Sequence, residues 1–206
     1  MRAVDGVLAA LADRPSEAYP WLVGDPCVPP PKELRQSLAG AVHSARFPYP
    51  QPAGSPTLRG LLAAHHRGEG VQTSAEQTVV TAGAKSGLMA VMAAVLEPGD
   101  EIVHPRPCYP AYPVMAKRLG AHPVAVDEIG RSFSGWAAAI EKRLSSRTKA
   151  VVLSSPSNPT GATLSPQDGR ALIELCRDRD LRLICDEAYI EFRWSPEIDA
   201  GPSAFD

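Results

Sequence analysis

From Gln77 onward, apolar positions along this chain alternate between two rhythms. Short β-branched or apolar runs at Gln77–Thr81, Glu101–His104, His122–Val126, Lys149–Ser154 and Arg182–Asp186 predict strands. Between them lie stretches with helical spacing. Lys85–Leu96 is closed by Pro98-Gly99, and Tyr112–Leu119 by Gly120. Trp136–Leu144 puts Ala137, Ile140 and Leu144 on one face. Pro166–Arg179 has Ser165 as a plausible N-cap and proline at the first helical position. Repeated strand–helix units predict an α/β fold: a three-layer αβα architecture with a mostly parallel sheet.

The first 60 residues follow neither rhythm. Prolines cluster from Pro26 to Pro31 and again from Pro48 to Pro56, around one expected helix at Lys32–Ser44. That composition predicts a connecting arm outside the main sheet, with a boundary near Tyr49: residues 1–48 on one side and 49–206 on the other. Tyr49-Pro50-Gln51-Pro52-Ala53-Gly54, with Leu58-Arg59 beyond, stands at that boundary. A second amphipathic helix follows it and carries His65-His66 at its solvated end.

Composition narrows the function. Hydrophobic residues make up 44% and charged residues 21%, and the net charge is −2, with no basic surplus to attract nucleic acid or an anionic membrane. No apolar run approaches the roughly 20 residues needed to span a bilayer, and the N-terminus lacks the pattern of a signal peptide. A cytoplasmic protein is expected. Cys27, Cys108, Cys176 and Cys185 form no CxxC pair. His104 and Cys108 have helical metal-ligand spacing, but Pro105 and Pro107 exclude a regular helix, so loop and packing roles are expected and no metal.

The chemistry concentrates between Ala150 and Glu191. An apolar strand runs into an Asn158-Pro159-Thr160-Gly161 turn; after a helix, a second strand ends in Asp186-Glu187-Ala188-Tyr189. Both polar clusters therefore fall just past the carboxyl ends of strands, where open α/β sheets bind ligands. An amide, a carboxylate and a phenol there suit a flat, partly ionised heteroaromatic ligand. Earlier in the chain, Gly83-Ala84-Lys85 joins a predicted strand to a helix, and such a turn offers free N–H groups to an anion. It is no Walker A loop, which would need glycine where Val79 and Ala84 stand. A dinucleotide-binding domain is also disfavoured, because no GxGxxG follows a predicted strand.

Taken together these motifs resemble, in order and over nearly the whole chain, the class I/II aminotransferase family of fold-type I pyridoxal-phosphate (PLP) enzymes. The resemblance implies cofactor-binding roles for several residues. Gly83, Ala84 and Lys85 would hold the phosphate, and Tyr109 would stack on the pyridine ring. Asn158 and Tyr189 would hydrogen-bond its phenolate oxygen. Asp186 would keep its ring nitrogen protonated, so that the ring serves as an electron sink; a charge pair at contact is worth on the order of 5 kcal/mol at an effective dielectric near 20. Tyr49 would reach the phosphate of a partner's cofactor across a homodimer interface. Gly24, in Trp21-Leu22-Val23-Gly24-Asp25-Pro26, and Asn158 would lie by the substrate. Amino acids and 2-oxo acids are the implied substrates.

One element of that pattern is absent. The family's Schiff-base lysine lies beyond the match to Asp186, whereas Lys32, Lys85, Lys117, Lys142 and Lys149 all precede it. The chain is thus expected to be the N-terminal part of such an enzyme. Residues 1–48 would be an arm with part of the small domain, and 49–206 a PLP-binding large domain incomplete at its C-terminus. The resemblance further implies two later strands between the Asp186 strand and Gln77–Thr81. The 206 residues alone are expected to be inactive. A PLP-dependent lyase or synthase, or a non-catalytic remnant of the fold, is the alternative.

Overall fold

A computed structural model describes residues 29–44, 49–127 and 133–192 of the chain. The chain divides into two compact units, Met1–Tyr49 and Pro50–Asp206, each described by itself. In the first, helix α1 spans Lys32–Ser44, and Leu34, Leu38 and Val42 on it are exposed.

The second unit holds helices α2 (Pro56–Gly68), α3 (Ala84–Val95), α4 (Ala111–Arg118), α5 (Trp136–Glu141) and α6 (Pro166–Asp178). Its strands are β1 (Glu101–Arg106), β2 (His122–Asp127), β3 (Thr148–Ser154) and β4 (Arg182–Asp186). All pair in parallel, in the order β2-β1-β3-β4. β3 shows why the layers form. Its side chains alternate across the sheet, so Val151 and Leu153 join Trp136, Ile140 and Leu172 beneath α5 and α6. Ala150 and Val152 join Leu88, Met92 and Met115 beneath α3 and α4 on the opposite face. A strand segment buried on both faces is apolar, as Ala150–Leu153 is here.

Two expectations need correction. Gln77–Thr81 is not a strand: Ala75–Gln77 forms a 3-10 turn, and the extended residues after it pair with no strand among those described. Val80 N–H bonds the carbonyl of Ala53 (2.9 Å), and the Arg59 guanidinium holds the carbonyls of Ala75 and Thr78. β-branching suits a pleated surface but supplies no ladder partner, and Val79 stays exposed. Here Gly54 is required, with φ at +96° and an added Cβ falling 2.6 Å from that of Val80. The helix expected at Trp136–Leu144 is also shorter, because beyond Glu141 the backbone tightens into Arg143→Ile140 and Leu144→Glu141 turns. By contrast β1 runs on past His104 through Pro105. Its register with β3 covers Glu101, Ile102 and Val103, so proline's lack of an N–H takes no bond from that second ladder.

Candidate functional site

The order β2-β1-β3-β4 sends the connection after β1 toward one edge and that after β3 toward the other. A crevice opens where they part, at the carboxyl ends of the strands. A cleft there is lined by Ala84, Lys85, Leu88, Tyr109, Tyr112, Ser154, Asn158, Asp186, Ala188 and Tyr189. Six of the residues singled out in the sequence, spread from Ala84 to Tyr189, thus meet in one place.

Each arrives on its own element. Gly83 precedes α3 with φ 82°, a backbone conformation suited to glycine, and the first turn of the helix brings exposed Ala84 and Lys85 to the rim. Tyr109 follows β1, half-buried, its ring edge-on to that of Tyr112 at 5.6 Å. The Asn158 turn follows β3. It is closed by bonds from Gly161 N–H to the Ser157 carbonyl and from Ser157 N–H to that of Ala162, both 2.7 Å. The Asn158 amide points to the Tyr189 hydroxyl at 3.4 Å, so the two groups converge on one spot.

Asp186, the last residue of β4, is buried. Its Oδ1 accepts from Ala188 N–H (3.1 Å) and its Oδ2 from the Tyr112 hydroxyl (2.8 Å). Among the described residues no lysine or arginine forms an ion pair with it. A buried carboxylate satisfied only by neutral donors retains its attraction for a cation. Burial, together with the neighbouring Asp186 charge, pushes the Tyr112 phenol far above its ordinary pKa, so it stays a proton donor.

Sequence reasoning missed Tyr112 and Ser154 as site residues. The spacing signal for Tyr112 was available, since it stands three residues after Tyr109 on the first turn of α4. Tyr49, assigned to a cofactor contact, belongs to the other unit and is fully exposed, and Gly24 lies outside the described residues. His104 and Cys108 meet without a helix, Sγ lying 3.3 Å from Nδ1, and His104 lies in the strand expected over Glu101–His104. Burial lowers the His104 pKa. One group of possible metal ligands comes together among the described residues, His65, Glu69 and Glu191, all of them exposed. No described helix is long and apolar enough to cross a membrane.

Residues 18–205 match the sequence profile of the family aminotransferase class I and II. The chain belongs to that family. It is 34% identical over 168 residues to a probable aspartate/prephenate aminotransferase of Thermus aquaticus, an alignment covering 81% of this chain and 44% of the relative. Arginine–pyruvate transaminase of Pseudomonas aeruginosa is 36% identical over 179 residues, or 85% of this chain and 45% of that protein. The solved structure of Thermus thermophilus aspartate aminotransferase with maleate superposes with a TM-score of 0.86 at 30% identity, over 94% of this chain and 51% of that one. This aminotransferase-family chain therefore has the fold of those enzymes and spans about half the length of the relatives it matches.

Proposed function

We propose that this chain carries the cofactor-binding half of a PLP-dependent aminotransferase of α-amino acids. The observation that carries the reading is the convergence of Asp186, Asn158, Tyr189, Tyr109 and the start of α3 in one cleft. The residues fit the group by their chemistry. A buried acid with no ion-pair partner among the described residues suits a protonated ring nitrogen, and paired amide and phenol groups suit a phenolate oxygen. Open N–H groups at a helix start suit a phosphate.

When bound, PLP supplies an electron sink for the carbanion formed at the substrate α-carbon. The rest is done by this chain. The first turn of α3, with Lys85, holds the phosphate, and helix-end attraction contributes about 0.3–2 kcal/mol. Tyr109 walls the ring and excludes water from one face. Asp186 holds the proton at the ring nitrogen, while Asn158 and Tyr189 orient the ring through its oxygen. Substrate amino acids and 2-oxo acids, a cytoplasmic location and a homodimer with Tyr49 reaching the partner's site belong to the same reading. So does inactivity of the 206 residues alone.

The test joins this chain to the C-terminal half of a relative and measures transamination. Asp186→Asn is expected to lower turnover by about a thousandfold or more while the cofactor remains bound, since an amide fills the space without holding the proton. Turnover equal to the unsubstituted protein would remove Asp186 from the mechanism.

A further inference from the structure

We infer that Tyr112 is a positioning residue for Asp186, the last link of a directed hydrogen-bond relay that ties the Asn158 turn to the carboxylate; this rests on the cofactor reading above. The relay is continuous. Asn158 N–H donates to Ser154 Oγ (3.1 Å), and the Ser154 hydroxyl bonds the Tyr112 oxygen. The Tyr112 hydroxyl in turn donates to Asp186 Oδ2 (2.8 Å). Each oxygen of Asp186 then has one protein donor, counting Ala188 N–H on Oδ1. An ionised carboxylate offers about four acceptor sites, so one direction on each oxygen stays open to a ligand N–H.

The phenol sets that direction rigidly. Tyr112 is only 1% exposed and packs in the core cluster of Leu88, Met92 and Met115. Tyr109 stands edge-on against its ring. Its hydroxyl vector is therefore fixed by packing, and the carboxylate it holds cannot rotate. A neutral donor at this place orients Asp186 without neutralising it, which a lysine or arginine would do. Two cofactor contacts far apart in sequence, Asn158 and Asp186, are thereby aligned by one mechanical element through Ser154 and Tyr112.

The experiment uses the 206-residue chain and pyridoxamine 5′-phosphate, which needs no lysine to bind. A second ligand is its analogue with carbon in place of the ring nitrogen. Affinities are measured by titration calorimetry for the unsubstituted chain, Tyr112→Phe and Ser154→Ala. Tyr112→Phe keeps the ring and its packing and removes only the donor. Loss of a hydrogen bond to a charged group is expected to weaken pyridoxamine phosphate about five- to tenfold and leave the carbon analogue unchanged. Ser154→Ala is expected to act in the same selective way, about twofold. Equal weakening of both ligands, or no change in either, would overturn the positioning role while leaving the cofactor reading intact. Failure of the unsubstituted chain to bind either ligand would overturn that reading and this inference with it.

Discussion

The two ends of the same sheet each bury an acid, and they treat it in opposite ways. At the amino end, Glu101 opens β1 and is 7% exposed. It receives Ser145 Oγ (2.6 Å), Thr148 Oγ1 (3.2 Å) and the Arg147 guanidinium (2.6 Å). The Ser145 hydroxyl above all, with Arg147 and Thr148, outweighs burial and holds the Glu101 carboxyl below its ordinary pKa. At the carboxyl end, Asp186 closes β4 with a phenol and one backbone N–H, and with no lysine or arginine among the described residues. A buried acid that the protein neutralises itself serves the fold. One left with neutral donors is available to a ligand that brings its own positive charge.

That contrast breaks most visibly in stability. Glu101→Ala leaves the Ser145 and Thr148 hydroxyls without their acceptor, while the exposed Arg147 guanidinium turns to water, and is expected to cost about 1–3 kcal/mol in urea unfolding. Affinity for pyridoxamine phosphate at the far end of the sheet is expected to be unaffected. Asp186→Asn is expected to change unfolding by less than about 1 kcal/mol, because Tyr112 still finds an acceptor, while weakening that affinity at least about tenfold. If both substitutions destabilise equally, the two acids have the same structural role and the contrast fails.

Acid titration sharpens it. Glu101 has a lowered folded pKa, so its stabilisation is complete above the ordinary glutamate range near pH 4.3 and is lost as pH falls through the folded value. Stability against pH is therefore expected to fall on the acid side below about pH 4, and that limb should flatten in Glu101→Ala.

The smallest effect lies between the two ends. Burial lowers the pKa of His104, in the middle of β1, so the folded chain keeps it neutral while the unfolded chain takes up a proton. The sign is a loss of stability as pH falls below the ordinary histidine value of about 6.5. His104→Gln is expected to flatten the stability profile just below that pH, a change of less than about 1 kcal/mol. A slope that persists in this variant would assign it to another group.

Much of the fold was legible because its causes are local. The β3 run is apolar from Ala150 to Leu153, and the Ser165-Pro166 start of α6 is realised, with the Ser165 side chain accepting from Asp168 N–H. The NPTG and DEAY clusters lie past strand ends, so any parallel arrangement of β3 and β4 brings them to one edge of the sheet. Gln77–Thr81 was misread for the complementary reason. Its composition is strand-like, but a strand exists only where another offers a ladder, and none of the described strands does.

Periodicity and turn chemistry thus determined, from the sequence by itself, the alternating elements, the parallel sheet and the strand-end placement of Asn158, Asp186 and Tyr189. Only the tertiary structure decided what Asp186 touches. Tyr112 lies 74 positions away on a helix of another βα unit, and Ser154 on a different strand. Their meeting depends on strand order and on the packing of α4 against the sheet, which no local pattern encodes. The reason is physical: propensity and periodicity act within a few residues along the chain. Whether a buried carboxylate is given a cation or only a phenol depends on which distant side chains the finished core brings within 3 Å of it.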